Sequence, residues 1–212
     1  MGTKFSTRIW VGVVGIASIF WGSKGYADTV VSVADFGLKP DTRENAVAYV
    51  QKAIEACRGK EPVTLVFPEG RYDFWPQYAH EKNYYETNTY DVFPKRLAML
   101  FEGFHNITVD GNGSQFVMHD RIQPITVENC DGVTLKNFSI DWDIPLTAQA
   151  RVIKVGSDFF EIEINVLESP YIIEDGKLVF VGEGWKSALG SMIEFELSLI
   201  HISEPTRPEP IS

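Results

Sequence analysis

The sequence predicts a mostly β chain, a right-handed parallel β-helix behind one capping α-helix. Three observations point there: one amphipathic segment near the start, a series of short turn-separated strands after it, and a weak internal repeat. His105-Asn106-Ile107-Thr108-Val109-Asp110-Gly111 is echoed 26 residues later by Asp131-Gly132-Val133-Thr134-Leu135-Lys136-Asn137. A repeat of about 20–30 residues containing short strands marks a solenoid, because one such unit cannot bury its apolar face alone. The rival architecture is a β-sandwich. Sandwiches rarely begin with one amphipathic helix, whereas a β-helix needs something apolar over the open edge of its first coil.

The elements follow in chain order. Lys4 and Arg8 precede an apolar run from Ile9 to Trp21, and Gly25-Tyr26-Ala27 follows it. That is the pattern of a secretory signal peptide, so residues 1–27 are expected to be removed and the protein exported to a periplasm or the cell exterior. The apolar run is shorter than the roughly 20 residues that span a bilayer, so no membrane anchor is expected after cleavage. Thr29–Val33 reads as a strand and Ala34-Asp35-Phe36-Gly37 as a turn. Asp41 or Thr42 is placed to cap a helix from about 43 to 57, in which Ala46, Val47, Val50, Ile54 and Cys57 share one face. Further strands are expected at 63–67, 97–101, 107–109, 115–118, 124–128, 133–135, 138–142, 149–155, 159–164 and 178–181.

From Leu197 to Arg207 the chain resembles the in-frame translation of a transposase adapter used in sequencing-library preparation. Residues 197–212 are therefore expected to be a non-native, disordered tail. Residues 28–196 are then the N-terminal part of a longer β-helix domain.

Composition narrows the function. The chain has 212 residues, 44% hydrophobic and 23% charged, a globular balance. Its net charge is −10 with no Lys/Arg run, which disfavours nucleic acid as partner. Cys57 and Cys130 have the option of pairing after export, but two cysteines fix nothing. Asp110-Gly111-Asn112-Gly113 reads as a turn without the ligand series of a calcium loop. His80, His105 and His119 lack metal-ligand spacing, so no metal and no cofactor is expected. Asn106, Asn112 and Asn137 open Asn-x-Ser/Thr triplets, which by themselves mark only surface positions.

Two constellations stand out. Tyr72, Phe74, Trp75, Tyr78, Tyr84, Tyr85, Tyr90 and Phe93 crowd residues 72–93 with neither strand nor helix spacing, so an aromatic loop is expected. It either packs onto the scaffold or offers flat rings to the apolar faces of sugars. Asp141 and Asp143 lie at i and i+2, about 6.5–7 Å apart on an extended strand. That is the lower limit for the two carboxylates of an inverting glycosidase, although any polar strand face gives the same pattern.

Val33–Gly37, Asp41 and Phe67-Pro68-Glu69-Gly70-Arg71-Tyr72 resemble the N-terminal cap of pectate-lyase-like β-helix enzymes. A narrower resemblance lies in Tyr72–Lys82, Gly111-Asn112-Gly113-Ser114 and Asp141-Trp142-Asp143-Ile144-Pro145. Together these are similar to bacterial α-1,3-galactosidases of glycoside hydrolase family 110. The resemblance implies exo-hydrolysis of terminal α-1,3-linked galactose, including blood-group-B-type caps, with inversion at the anomeric carbon. It implies a glycan substrate, no cofactor, and a catalytic pair on later coils, leaving Asp141 and Asp143 as the weak candidates within this chain. The residues of the family-like loop, Trp75, Tyr78, His80, Glu81 and Lys82, become the substrate-binding candidates. A homo-oligomer remains open for the intact enzyme. Two other readings stand beside it: a calcium-dependent pectate lyase or polygalacturonase, and a non-catalytic glycan-binding β-helix.

Overall fold

The computed structural model describes residues 29–84, 94–190 and Ile193. The expected leader at 1–27, the tail at 197–212 and residues 85–93 of the aromatic segment lie outside them. Among the described residues no helix is long and apolar enough to cross a membrane.

The described residues open with β1 (Thr29–Ser32) and a 3-10 turn at Val33–Phe36 that ends on Gly37 at φ 93°. Among the described residues the one α-helix, α1, spans Val47–Cys57. It begins four residues later than the sequence suggests. Asp41 and Arg43 both hold positive φ, and the Asp41 carboxylate accepts from the Arg71 N–H at 3.0 Å, pinning this stretch as an irregular turn that no helix can start from. Asn45 performs the capping: its Oδ1 accepts from the N–H of Val47 at 3.1 Å. The buried face of α1 is Val47, Val50, Ala53, Ile54 and Cys57, packed on β1, the 3-10 turn and the strands below.

Strands β2 (Val63–Val66), β3 (Arg71–Phe74), β4 (His80–Lys82), β5 (Lys95–Glu102), β6 (His105–Met118), β7 (Gln123–Glu128) and β8 (Asp131–Trp142) follow. β1, β2, β6 and β8 form a parallel ladder in which Thr29 faces Val63, Val63 faces Ile107, and Ile107 faces Val133. The second half of β6 takes β3 on one side and β8 on the other, again parallel. A second sheet sets β5 parallel to β7 and β4 antiparallel to β5. The 26-residue repeat is the ladder register itself, since His105 pairs with Asp131 and Val109 with Leu135.

Two expectations need correction here. Asp110-Gly111-Asn112-Gly113 does not reverse the chain; it is a bulge inside continuous β6, with Asn112 at φ 50° and Gly113 at φ 85°. Beyond it the offset falls from 26 to 24, as Ser114 pairs with Phe138 and Met118 with Trp142. Gly111 is needed because a Cβ there would lie 2.5 Å from Phe138 Cβ and 2.8 Å from the Asn137 carbonyl. The aromatic segment, likewise, is not all loop. Tyr72 and Phe74 belong to β3 and are fully buried. They join Phe67, Phe116 and Phe138 in an aromatic core, where Phe116 lies 4.7 Å from Phe67 and 4.8 Å from Phe138, centroid to centroid.

The remaining strands depart from stacked coils. β9 (Arg151–Val155) and β10 (Phe160–Glu163) form an antiparallel hairpin. β11 (Tyr171–Glu174), β12 (Lys177–Gly182) and β13 (Trp185–Ala188) form an antiparallel meander. The chain is thus mostly β with mixed sheets, parallel first and antiparallel after. Cys57 and Cys130 are both free thiols, Cys130 Sγ bonding to the Phe101 and Glu128 carbonyls instead.

Candidate functional site

Three strands end side by side. Because Phe74 pairs with Met118 and Met118 with Trp142, the next residues, Trp75, His119 and Asp143, sit on successive rungs. The ladder continues through them: the His119 N–H donates to Phe74 O at 2.9 Å and the Asp143 N–H to Met118 O at 3.0 Å. The indole of Trp75 stacks on the His119 imidazole at 3.8 Å and 10°. Beneath them lies Asp73, whose carboxylate has no exposed surface.

Asp73 is the centre of the network. Arg71 Nη2 donates to Asp73 Oδ1 at 2.6 Å and to Asp143 Oδ1 at 2.7 Å. His119 Nε2 lies 2.9 Å from Asp73 Oδ1, and its Nδ1 lies 2.8 Å from the Glu183 carboxylate, which comes from the β12–β13 turn. Arg43, 60% exposed, adds its guanidinium at 3.6 Å from Asp73 and 3.8 Å from Asp143. Burial pushes the Asp73 carboxyl up, but the hydrogen bonds from Arg71 and His119 outweigh it and hold its pKa below the usual range. The Arg71 guanidinium is pushed up by its hydrogen bond to Asp73, against burial.

Asp73, His119 and Asp143 offer three ligand atoms within 4.8 Å of one another, a set that would suit a cation. Arg71 supplies that cation already, with one nitrogen bridging both aspartates. The arrangement is therefore a preformed charge network whose solvent side presents Asp143 and Arg43, an acceptor and a donor for hydroxyl groups.

The residues singled out in sequence fall in four places. Trp75 and Asp143 are brought together in this network. Asp141 is exposed, and its carboxylate accepts from the N–H of Trp142 at 2.8 Å, while Trp142 packs on the core and donates its indole N–H to Asp120 O. Tyr78 is 64% exposed at the start of α1, with its carbonyl accepting from Gln51 at 2.8 Å. His80, Glu81 and Lys82 form β4 on the other sheet. There Lys82 bridges Glu102 at 3.1 Å and Glu128 at 2.8 Å, and the Tyr84 hydroxyl donates to Glu128. Those two hydrogen bonds hold the Glu128 carboxyl down. Glu81 pairs with Arg96 at 3.4 Å, and no partner or site forms around His80 among the described residues. Arg71 and Asp73 enter the sequence reading only inside the family-like stretches, His119 only as a histidine without metal-ligand spacing, and Glu183 not at all.

Comparison with known proteins gives this geometry its setting. Over 170 residues the chain is 59% identical to α-1,3-galactosidase B of Bacteroides thetaiotaomicron, covering 80% of this chain and 28% of that protein. The chain is a homologue of bacterial α-1,3-galactosidases. It is 37% identical over 168 residues to α-1,3-galactosidase A of Shewanella woodyi, and 36% over 192 residues to α-1,3-galactosidase B of Phocaeicola vulgatus. The chain spans 28–30% of the length of these relatives. Residues 148–207 match the model of GLAA-B β-barrel domain I. That stretch takes in β9–β13, the antiparallel strands, and hence Glu183 of the network.

Proposed function

We propose that this galactosidase homologue is the N-terminal part of an exported glycoside hydrolase that removes terminal α-1,3-linked galactose from glycans. In this reading the parallel ladder is the beginning of a right-handed parallel β-helix, capped by α1 and interrupted by an inserted antiparallel unit. The observation that carries it is the 59% identity to an α-1,3-galactosidase over 80% of the chain. The open edges support continuation: β7 and β8 each pair on one side only among the described residues, and Val127, Leu135 and Ile140 stand exposed along them. A further coil would cover them.

Hydrolysis with inversion needs one carboxyl to protonate the leaving oxygen and another to activate water, about 6.5–9.5 Å apart. Asp143 is engaged by two guanidiniums and Asp141 by the backbone N–H of Trp142, so both are assigned away from that pair. The pair is assigned to later coils. Asp143, Arg43 and Trp75 fit sugar contact instead, a polar edge beside a ring, held rigid from below by Asp73. The chain alone is then inactive.

The test is to recover the reading frame past Glu196, express the whole protein, and assay galactose release from α-1,3-, α-1,4- and α-1,6-linked galactobiose. Release from the α-1,3 isomer alone, with β-galactose as the first anomer by proton NMR, is expected. No release, or α-galactose first, would overturn the reading.

A further inference from the structure

A groove with an unusual lining lies beside Asn45, whose side chain also reaches the turn after Trp75. Pro76 to Ala79 form a tight turn, closed by the Ala79 N–H donating to Pro76 O at 3.1 Å. Tyr78 occupies its third position at φ 70°. A turn with positive φ at that position normally carries Gly or Asn, because a Cβ crowds the following peptide. A bulky ring there is a strained choice, and its backbone is held in place by two side chains. Asn45 Nδ2 donates to Gln77 O at 2.9 Å and Gln51 Nε2 to Tyr78 O at 2.8 Å. The protein thus spends backbone strain and two hydrogen bonds to present a tyrosine that is 64% exposed. Strain sustained by surrounding structure, with nothing gained in packing, points to function.

The surroundings of the ring define what it would hold. Tyr78, Tyr49, Ala48, Asn45, Glu44 and Lys52 line a groove of about 420 Å³. Ala48 keeps the helix surface low between Glu44 and Lys52. The Glu44 and Lys52 side chains have no hydrogen-bond or ion-pair partner among the described residues. They supply one acceptor and one donor of opposite charge, which favours a neutral ligand over an ionic one. Two tyrosines beside unengaged polar groups match a pyranose, with flat C–H faces and a rim of hydroxyls.

We infer that this groove is an accessory site for a neutral pyranose unit of a glycan, with Tyr78 as its platform. The inference rests on the reading that glycans are what the protein meets. It needs no turnover, so its failure is separable from failure of the galactosidase assay.

The experiment is an NMR titration of the full 212-residue chain with methyl α-galactopyranoside, and with methyl α-glucopyranoside as a second neutral sugar. Saturable shifts are expected at Tyr78, Ala48 and Lys52. Tyr78→Gly should bind about tenfold or more weakly, while its melting temperature stays level or rises, because glycine relieves the left-handed strain. Tyr78→Phe should keep binding, and Glu44→Ala with Lys52→Ala, both exposed, should weaken it without unfolding. No saturable binding of either sugar overturns the inference, as does a Tyr78→Gly variant that binds like the parent. A mass doubling in sedimentation that Tyr78→Gly abolishes would also overturn it, making the ring a contact between copies.

Discussion

The His119→Phe substitution tests the charge network most directly. Phenylalanine keeps a flat ring over Trp75, where the parent rings stack at 3.8 Å, but removes both nitrogens. Asp73 has no exposed side-chain surface, so its lost 2.9 Å bond is not replaced by water. A hydrogen bond to a charged group contributes about 1.5–3 kcal/mol. Glu183 is 31% exposed and turns to solvent, so its share is discounted to about 1 kcal/mol or less. Together the loss is about 2–4 kcal/mol, or a melting temperature lower by roughly 10 °C for a chain of this size. Urea unfolding followed by tryptophan fluorescence reads it, with the midpoint falling and the m-value unchanged. A loss below about 1 kcal/mol would show that the network is an accidental meeting of charges, not a structural anchor.

Other substitutions report on neighbouring features. Because the Asp73 pKa is depressed by folding, its carboxylate stabilises the protein above its unfolded pKa, near 4, and this is lost as pH falls through the lower folded value. Asp73→Asn should therefore cost stability at pH 7, and its deficit against the parent should shrink below about pH 4 in urea titrations at stepped pH. Gly111→Ala should cost about 3 kcal/mol by the same assay, since the new methyl meets Phe138 and a backbone carbonyl rather than a flexible side-chain end. Burial pushes the Cys57 thiol up to about 11, so Ellman's reagent at pH 8 should leave it unmodified until urea unfolds the chain.

Much of the architecture was legible because it depends on local pattern. The apolar spacing of Val47, Val50, Ile54 and Cys57 fixes α1, and the echo of 105–111 in 131–137 states the β6–β8 register outright. The site was harder to read because the bulge changes that register. An offset of 26 carries His119 to Pro145; only the offset of 24 beyond Ser114 places it against Asp143. Trp75 and Asp143 were picked for their chemistry, whereas His119 looked solitary until the strands aligned. Glu183 arrives from a separate antiparallel unit, a contact that no local spacing encodes. That unit did carry a signal: Asp175-Gly176 is a two-residue hairpin turn, both residues at positive φ, and it marks β11 and β12 as antiparallel. Strand composition alone does not separate the two pairings, because β-branched residues suit both.

The bulge also sets a rule of arithmetic for this scaffold. Between paired rungs, β6 runs through Gly111, Asn112 and Gly113 where β8 has only Asn137, a surplus of two. Since strand side chains alternate faces with a period of two, an even surplus returns both strands to the same phase. Phe116 and Phe138 can therefore stack inside although their strands differ in length. Insertions and deletions at this point should accordingly be tolerated in pairs across related genes, while a single-codon change there would turn the rest of the strand inside out.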